Sequence, residues 1–479
     1  MSRLGARTIP RRLGITALAL MLAGCARAPK PPEVQVGATP SARLARSIDI
    51  IRGSTAGRPA VLRVLFYGQS ITSTRWTDLA TAHLRATYPN TRFVVRNMAI
   101  GGFAAPLLER TVARDVAEFY PDLIVFHVYG DTAAYERIIR IMRSQTAAEI
   151  IVQDDHVVDP VEPLCAQGLH LSLHPLPGCR GFLWMRQHSY EEDVSSRVLP
   201  DLARQYGLAL ERRRAPWNAY LAQHHLAPAA LLADPPHPNA AGWQLMARLF
   251  DAWFDRVVEA WRGEPQRLVT DRPLPQGQVV RLGFTGNRVE IIASGPLTGR
   301  VRALIDGKPP ETFDGCWQTS RTSVLPGVPD WPALRQVTID PAFHRPERWT
   351  ATITQLSPKQ DDFTFRIIGA GTGPDGEGHA RQDFVSPSGR IRIAAKDWVI
   401  PDGVALKQRW VPEGFRVTWE RHLACGDQPT VHLTAGRVEV RHIIATGIPN
   451  AAHRLSLSIA PEVRAAVGGL RTYRPPLSD

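Results

Sequence analysis

Leu123-Ile124-Val125-Phe126-His127-Val128 is an apolar run interrupted by a single histidine. A strand with one wet face alternates apolar and polar residues, whereas an unbroken run suits a strand buried on both faces. The flanking sequence agrees. Val61–Phe66 is apolar with β-branched members, Arg92–Val95 and Glu149–Val152 read as strands, and Leu208–Leu210 as a short one. Helical spacing occupies Thr77–Tyr88, Pro106–Phe119, Tyr135–Met142, Val194–Tyr206 and the long stretch Ala240–Val257. Strands alternating with helices predict an α/β domain with a parallel sheet over residues 46–262. One stretch, Asp154–His188, breaks the rhythm with Pro160, Pro163, Pro175 and Pro177, and a loop of that length reads as functional or as a lid.

Beyond this domain the texture changes. Residues 263–276 are rich in Pro and Arg and read as a linker. From 277 to 479 short strand candidates such as Val279–Phe284, Val289–Ala293, Phe363–Ile368 and Leu455–Ile459 are separated by turn residues, which predicts an all-β sandwich. Trp317, Trp349, Trp398, Trp410 and Trp419 lie in this half. Exposed, they would stack on sugar rings; core packing is the commoner fate of such residues.

The first residues do not belong to the fold. Arg3, Arg7, Arg11 and Arg12 precede an apolar run from Leu13 to Leu22 that is too short for a permanent span and reads as a signal segment. It ends in Leu22-Ala23-Gly24-Cys25, which resembles a bacterial lipobox. That resemblance implies lipidation of Cys25 and a mature chain anchored in the cell envelope, at the outer membrane, periplasm or cell surface. Residues 26–45, with Pro29, Pro31, Pro32 and Pro40, read as a tether. Four cysteines remain, Cys165, Cys179, Cys316 and Cys425, and in an oxidising compartment an even number favours disulfides. The expected pairs are Cys165–Cys179 and Cys316–Cys425, with buried free thiols as the alternative.

Of 479 residues, 44% are hydrophobic and 21% charged, which is globular. The net charge of +12 is scattered, with no aromatic-interleaved basic stripe, so no nucleic-acid partner is expected. Asp154, Asp155, His156, His170, His174 and His188 crowd one region, but their spacing matches no ligand motif, and neither metal nor cofactor is expected.

Three short motifs carry chemistry. Asp234-Pro235-Pro236-His237-Pro238-Asn239 places a carboxylate three residues before a histidine, so that the histidine acts as general base while the carboxylate fixes its tautomer. Gly68-Gln69-Ser70-Ile71-Thr72 follows the first strand, where α/β sheets place their sites. Asn97-Met98-Ala99-Ile100-Gly101-Gly102 follows the second strand, and its glycine pair lets a backbone N–H approach a substrate oxygen.

In this order the blocks resemble the SGNH (GDSL-like) hydrolase family, over residues 60–260. The resemblance implies a three-layer, flavodoxin-like domain. It also implies a triad of Ser70, Asp234 and His237, with oxyanion donors at the Ser70 and Gly102 N–H groups and Gly101 as the near alternative. Gln69 stands where the family usually has Asp, a variation of its carbohydrate-acetylesterase branches. The third block departs further. His127-Val128-Tyr129-Gly130-Asp131 occupies the place of Gly-x-Asn-Asp and has no Asn, so His127, Gly130 or the Asp131 region would have to donate instead. The resemblance points to an esterase acting on an acylated carbohydrate, with the all-β half similar to a carbohydrate-binding module. A lipase, thioesterase or lysophospholipase, and a non-catalytic glycan-binding lipoprotein, are the alternatives.

Overall fold

The computed structural model describes residues 39–157, 188–234, 236–263, 268–293, 301–426, 440–464 and 467–477. Strands β1 (Ala60–Gly68), β2 (Thr91–Asn97), β3 (Leu123–His127), β4 (Glu149–Gln153) and β5 (Ala209–Glu211) form one parallel sheet in the order β2-β1-β3-β4-β5. This is the flavodoxin-like order, which places a crevice at the carboxyl ends of β1 and β3.

Both faces of the sheet are covered because successive side chains of a strand point opposite ways. Leu62, Val64 and Phe66 pack on one side with Trp76, Phe250 and Phe254, from the helices Trp76–Thr87 and Ala240–Ala260. Leu65 and Tyr67 pack on the other with Leu108, Val112 and Ile138, from the helices Ala105–Phe119 and Thr132–Gln145. Each fully buried Leu or Phe contributes roughly 1.5–3 kcal/mol. Two of these helices start at side-chain caps: Asp131 accepts from Ala134 N–H at 2.7 Å, and Asn239 accepts from the N–H groups of Ala241 and Gly242 at 3.0 and 3.1 Å. Residues 40–45, expected as the end of a tether, are folded instead: Pro40–Arg43 is a helical turn, and Leu44 and Ala45 are buried in the core.

The C-terminal half is built of antiparallel strands in sheets, as expected, and these form two nested units. In the outer unit β8 (Val269–Pro273), β9 (Val279–Gly286), β10 (Arg288–Ala293), β11 (Val301–Ile305) and three later strands pair in two sheets. Strand β8 falls inside the stretch expected as linker. Between β11 and those later strands runs the inner unit. It holds the five-stranded antiparallel sheet β12-β21-β16-β17-β18, built from β12 (Trp317–Thr319), β16 (Glu347–Thr354), β17 (Thr364–Gly369), β18 (Gly373–His379) and β21 (Arg416–Leu423). It also holds the short hairpin β13 (Val324–Leu325) and β14 (Val328–Pro332), and a small sheet of β15 (Thr338–Ile339), β19 (Phe384–Val385) and β20 (Ile391–Ile393). The outer unit then closes with β22 (Val440–Ala445), β23 (Ala451–Ile459) and β24 (Val467–Tyr473), giving the sheets β22-β10-β24-β8 and β11-β23-β9.

The Cys316–Cys425 disulfide joins the start and end of the inner unit. Both cysteines sit in the core of the outer unit. The inner unit shares its own core with the α/β domain: Trp331, Trp349 and Trp419 belong to the same apolar cluster as Phe103 and Leu108. Of the five tryptophans considered for sugar stacking, Trp317, Trp349, Trp398 and Trp419 are buried, and Trp410 is 55% exposed. Cys165, Cys179 and the signal segment with Cys25 lie outside the described residues. Among the described residues no helix is long and apolar enough to cross a membrane.

Candidate active site

Ser70 stands two residues past β1. The turn between them needs glycine at position 68: a Cβ there would lie 2.0 Å from the His127 carbonyl oxygen and 2.6 Å from Thr72 Oγ1. Asn97, at the end of β2, braces the turn. Its Nδ2 donates to the Thr72 carbonyl at 2.8 Å and to Thr77 Oγ1 at 3.0 Å, while its Oδ1 accepts from Ala99 N–H at 3.0 Å. The Ser70 and Gly101 blocks are therefore tied into one edge of the sheet.

The Asp234–His237 loop closes over this edge. Asp234 and His237 face each other across the antiparallel pair β6 (Leu232–Asp234) and β7 (His237–Pro238). His237 Nδ1 lies 2.6 Å from Asp234 Oδ1, and His237 Nε2 lies 2.8 Å from Ser70 Oγ. An ionised carboxylate only accepts, so Nδ1 carries the proton and Nε2 is left to accept from the Ser70 hydroxyl. That is the tautomer a general base requires. The side chains of His237 and Asp234 are 37% and 53% exposed, so the centre opens to solvent rather than into a tunnel.

His156, on the segment after β4, holds this loop from below. Its Nε2–H donates to the Pro236 carbonyl at 3.0 Å. Burial pushes its pKa down to about 3, so the ring is neutral and one nitrogen remains a fixed donor.

The expected oxyanion donors separate into two groups. Among the described residues the N–H groups of Ser70 and Gly102 have no protein acceptor, and Gly102 is exposed. The Gly101 N–H is taken: it donates to Asp330 Oδ2 at 3.0 Å. Of the donors expected from the loop after β3, His127 Nε2 and the Gly130 N–H are both engaged within the protein. His127 Nε2 is spent on Asp155 Oδ1 at 2.5 Å, with both side chains buried. The Gly130 N–H donates to the Tyr190 hydroxyl at 3.0 Å, and that hydroxyl donates back to the Gly130 carbonyl at 2.6 Å. Asp131 is a helix cap. Burial opposes charge on Asp155, but His127, His156 and the Tyr129 hydroxyl outweigh it and hold the carboxyl below its ordinary range.

Asp154, in the same acid- and histidine-rich region, also has structural partners. Asp154 Oδ1 accepts from the N–H groups of Arg213 and Arg214 at 2.6 and 2.9 Å, capping the helix Arg214–Gln223. His170 and His174 lie outside the described residues.

Asp330 and Trp331, from β14 of the inner unit, reach this site and carry no motif in the sequence. Trp331 Nε1–H donates to the Gly101 carbonyl at 2.6 Å. Position 101 borders Ser70, since a Cβ there would lie 3.8 Å from both Cα and Cβ of Ser70.

No family model and no curated protein matches this chain. Among solved structures, a two-domain esterase active on acetylated mannans is 12% identical, with a TM-score of 0.34, over 91% of this chain and 96% of that one. A catalytic mutant of an acetylxylan esterase from Geobacillus stearothermophilus is 19% identical, with a TM-score of 0.31, over 44% of this chain and all of that one (100%).

Proposed function

We propose that this protein is a serine ester hydrolase of the SGNH type that removes O-acetyl groups from a polysaccharide. The observation that carries the reading is the hydrogen-bonded chain Ser70 Oγ, His237 Nε2, His237 Nδ1 and Asp234 Oδ1, at 2.8 and 2.6 Å. His237 takes the Ser70 proton as Oγ attacks the ester carbonyl, and Asp234 stabilises the imidazolium. The N–H groups of Ser70 and Gly102 receive the charge that develops on the carbonyl oxygen. The proton passes to the departing sugar hydroxyl, leaving an acetyl-enzyme, and water activated by His237 then releases acetate. The exposure of His237 and Asp234 favours a small acyl group on a bulky polymer over a long acyl chain, which needs an apolar slot.

In the same reading Cys25 is lipidated and residues 26–38 tether the enzyme to the cell envelope. The test uses protein lacking residues 1–25, assayed for acetate release from acetylated xylan, acetylated mannan and short-chain aryl esters. Acetate release that disappears in Ser70→Ala supports the reading. Equal turnover by the variant, or preference for long acyl chains, overturns it. For the anchor, Cys25→Ser should move the full chain from the membrane fraction to the soluble one, and unchanged retention overturns that part.

A further inference from the structure

We propose that Trp331 and Asp330, both from the C-terminal half, are positioning residues for the oxyanion donor at Gly102. The proposal rests on the hydrolase reading above. Trp331 Nε1–H holds the Gly101 carbonyl at 2.6 Å. That carbonyl and the Gly102 N–H belong to one peptide unit, which is planar and, like every described peptide of this chain, not cis. Fixing the direction of the oxygen therefore fixes the opposite direction of the Gly102 N–H. A carbonyl that accepts a hydrogen bond also polarises its own amide and strengthens the N–H as a donor.

Asp330 secures the preceding peptide by accepting from the Gly101 N–H at 3.0 Å. Gly101 is thus gripped at its N–H and at its carbonyl, and only the Gly102 N–H is left for a ligand. Gly102 has φ +89°, and a Cβ there would come within 3.1 Å of Trp331 Cζ2, so the indole closes over a backbone only glycine fits. The indole is itself immobilised. It is fully buried, meets the Phe103 ring edge-on at 5.5 Å, and has Lys407 Nζ 5.3 Å from its ring centre.

In this arrangement the loop after β3 does not replace the missing third-block Asn. The inner β unit instead makes the remaining Gly102 donor rigid and strong. Removing an oxyanion donor outright costs about 10²–10³ in kcat, and misaiming one costs less.

The experiment compares wild type, Asp330→Ala, Asp330→Asn and Trp331→Phe in kcat, KM, thermal melting and the rate of Ser70 labelling by a fluorophosphonate. Asp330→Ala should lower kcat on the order of tenfold with KM nearly unchanged. Asp330→Asn still offers an oxygen to the Gly101 N–H and should restore most of that loss. Trp331→Phe keeps an aromatic ring but loses the donor, and should lower kcat by about ten- to hundredfold. Asp330 is partly exposed, so its variants remain informative if Trp331→Phe melts early. An unchanged kcat in Asp330→Ala overturns the proposal. So does a rise in KM alone, which marks a substrate contact, or an Asn variant as poor as the Ala one, which marks the charge. A wild type that neither hydrolyses esters nor labels at Ser70 overturns the hydrolase reading itself and this inference with it. Active wild type with an indifferent Asp330→Ala overturns this inference alone.

Discussion

Arg321, from the inner β unit, lays its guanidinium on Asp115 of the α/β domain in a two-pronged contact, Nε to Oδ1 at 2.9 Å and Nη2 to Oδ2 at 2.7 Å. The Tyr67 hydroxyl donates to the same carboxylate at 3.0 Å, and Arg321 Nη2 also reaches the Met98 carbonyl at 2.9 Å, in the block that leads to Gly101. Asp115 is fully buried. Burial alone would raise its pKa, but Arg114 and Arg321 outweigh that and hold it below the ordinary carboxylate value. Replacing Asp115 by Asn leaves the arginines uncompensated and should cost about 3–5 kcal/mol, read by urea unfolding at pH 7. The sign with pH follows from the depressed pKa. The contribution is complete above about pH 4 and is lost as pH falls, so the gap between wild type and variant should narrow on acidification. A gap that widens in acid contradicts this account.

The proposed triad predicts unequal losses. Ser70→Ala should abolish hydrolysis and fluorophosphonate labelling with melting unchanged. Asp234→Asn should lower kcat by about 10⁴, because an amide at that position no longer dictates that His237 Nδ1 carries the proton. Wild-type turnover in Asp234→Asn would remove Asp234 from its role.

His156 should act on the Asp234–His237 loop without touching substrate. His156→Phe removes the donor to the Pro236 carbonyl and should lower stability by about 1–2 kcal/mol and kcat by about tenfold. Because its pKa falls from about 6.5 in the unfolded chain to about 3 when buried, the unfolded state takes up the proton first as pH drops. The stability due to the neutral ring is therefore whole above about pH 6.5 and drains away down to about pH 3. Stability curves of the Phe variant should be flatter over that interval, and curves parallel to wild type would count against the assignment.

Breaking the Cys316–Cys425 bond should cost about 2–5 kcal/mol, since it closes a sequence separation of 109 residues. Paired serine substitutions should lower the melting temperature, and adding dithiothreitol should do the same to wild type only. Identical melting with and without reductant would show the bond to be dispensable.

The sheet was legible because its evidence is local. The unbroken run Leu123–Val128 and the alternation around it required only strand and helix periodicity, and the three site blocks each lay at a strand or helix end. The C-terminal half was legible in texture but not in plan, since short strands do not announce their partners. Pairing of β10 with β22 and β24, on either side of the nested segment, is a long-range choice made by burial. The pairing of His127 with Asp155 was not legible, because the two meet only when β3 and β4 are laid side by side. Asp330 and Trp331 lie 229 and 230 residues from Gly101 along the chain, and no spacing rule spans that distance.

The nesting has a consequence for how this molecule could be rebuilt. Because residues 316 and 425 meet at the disulfide, the segment between them is a cassette whose two ends enter and leave at one point. Excising it with a short splice would cut none of the outer strands β8–β11 or β22–β24. It would nevertheless strip the α/β domain of part of its apolar core and of both side chains that grip Gly101. A cassette exchanged between such proteins would therefore carry with it two contacts of the proposed active site, and grafts should be judged by turnover as well as by folding.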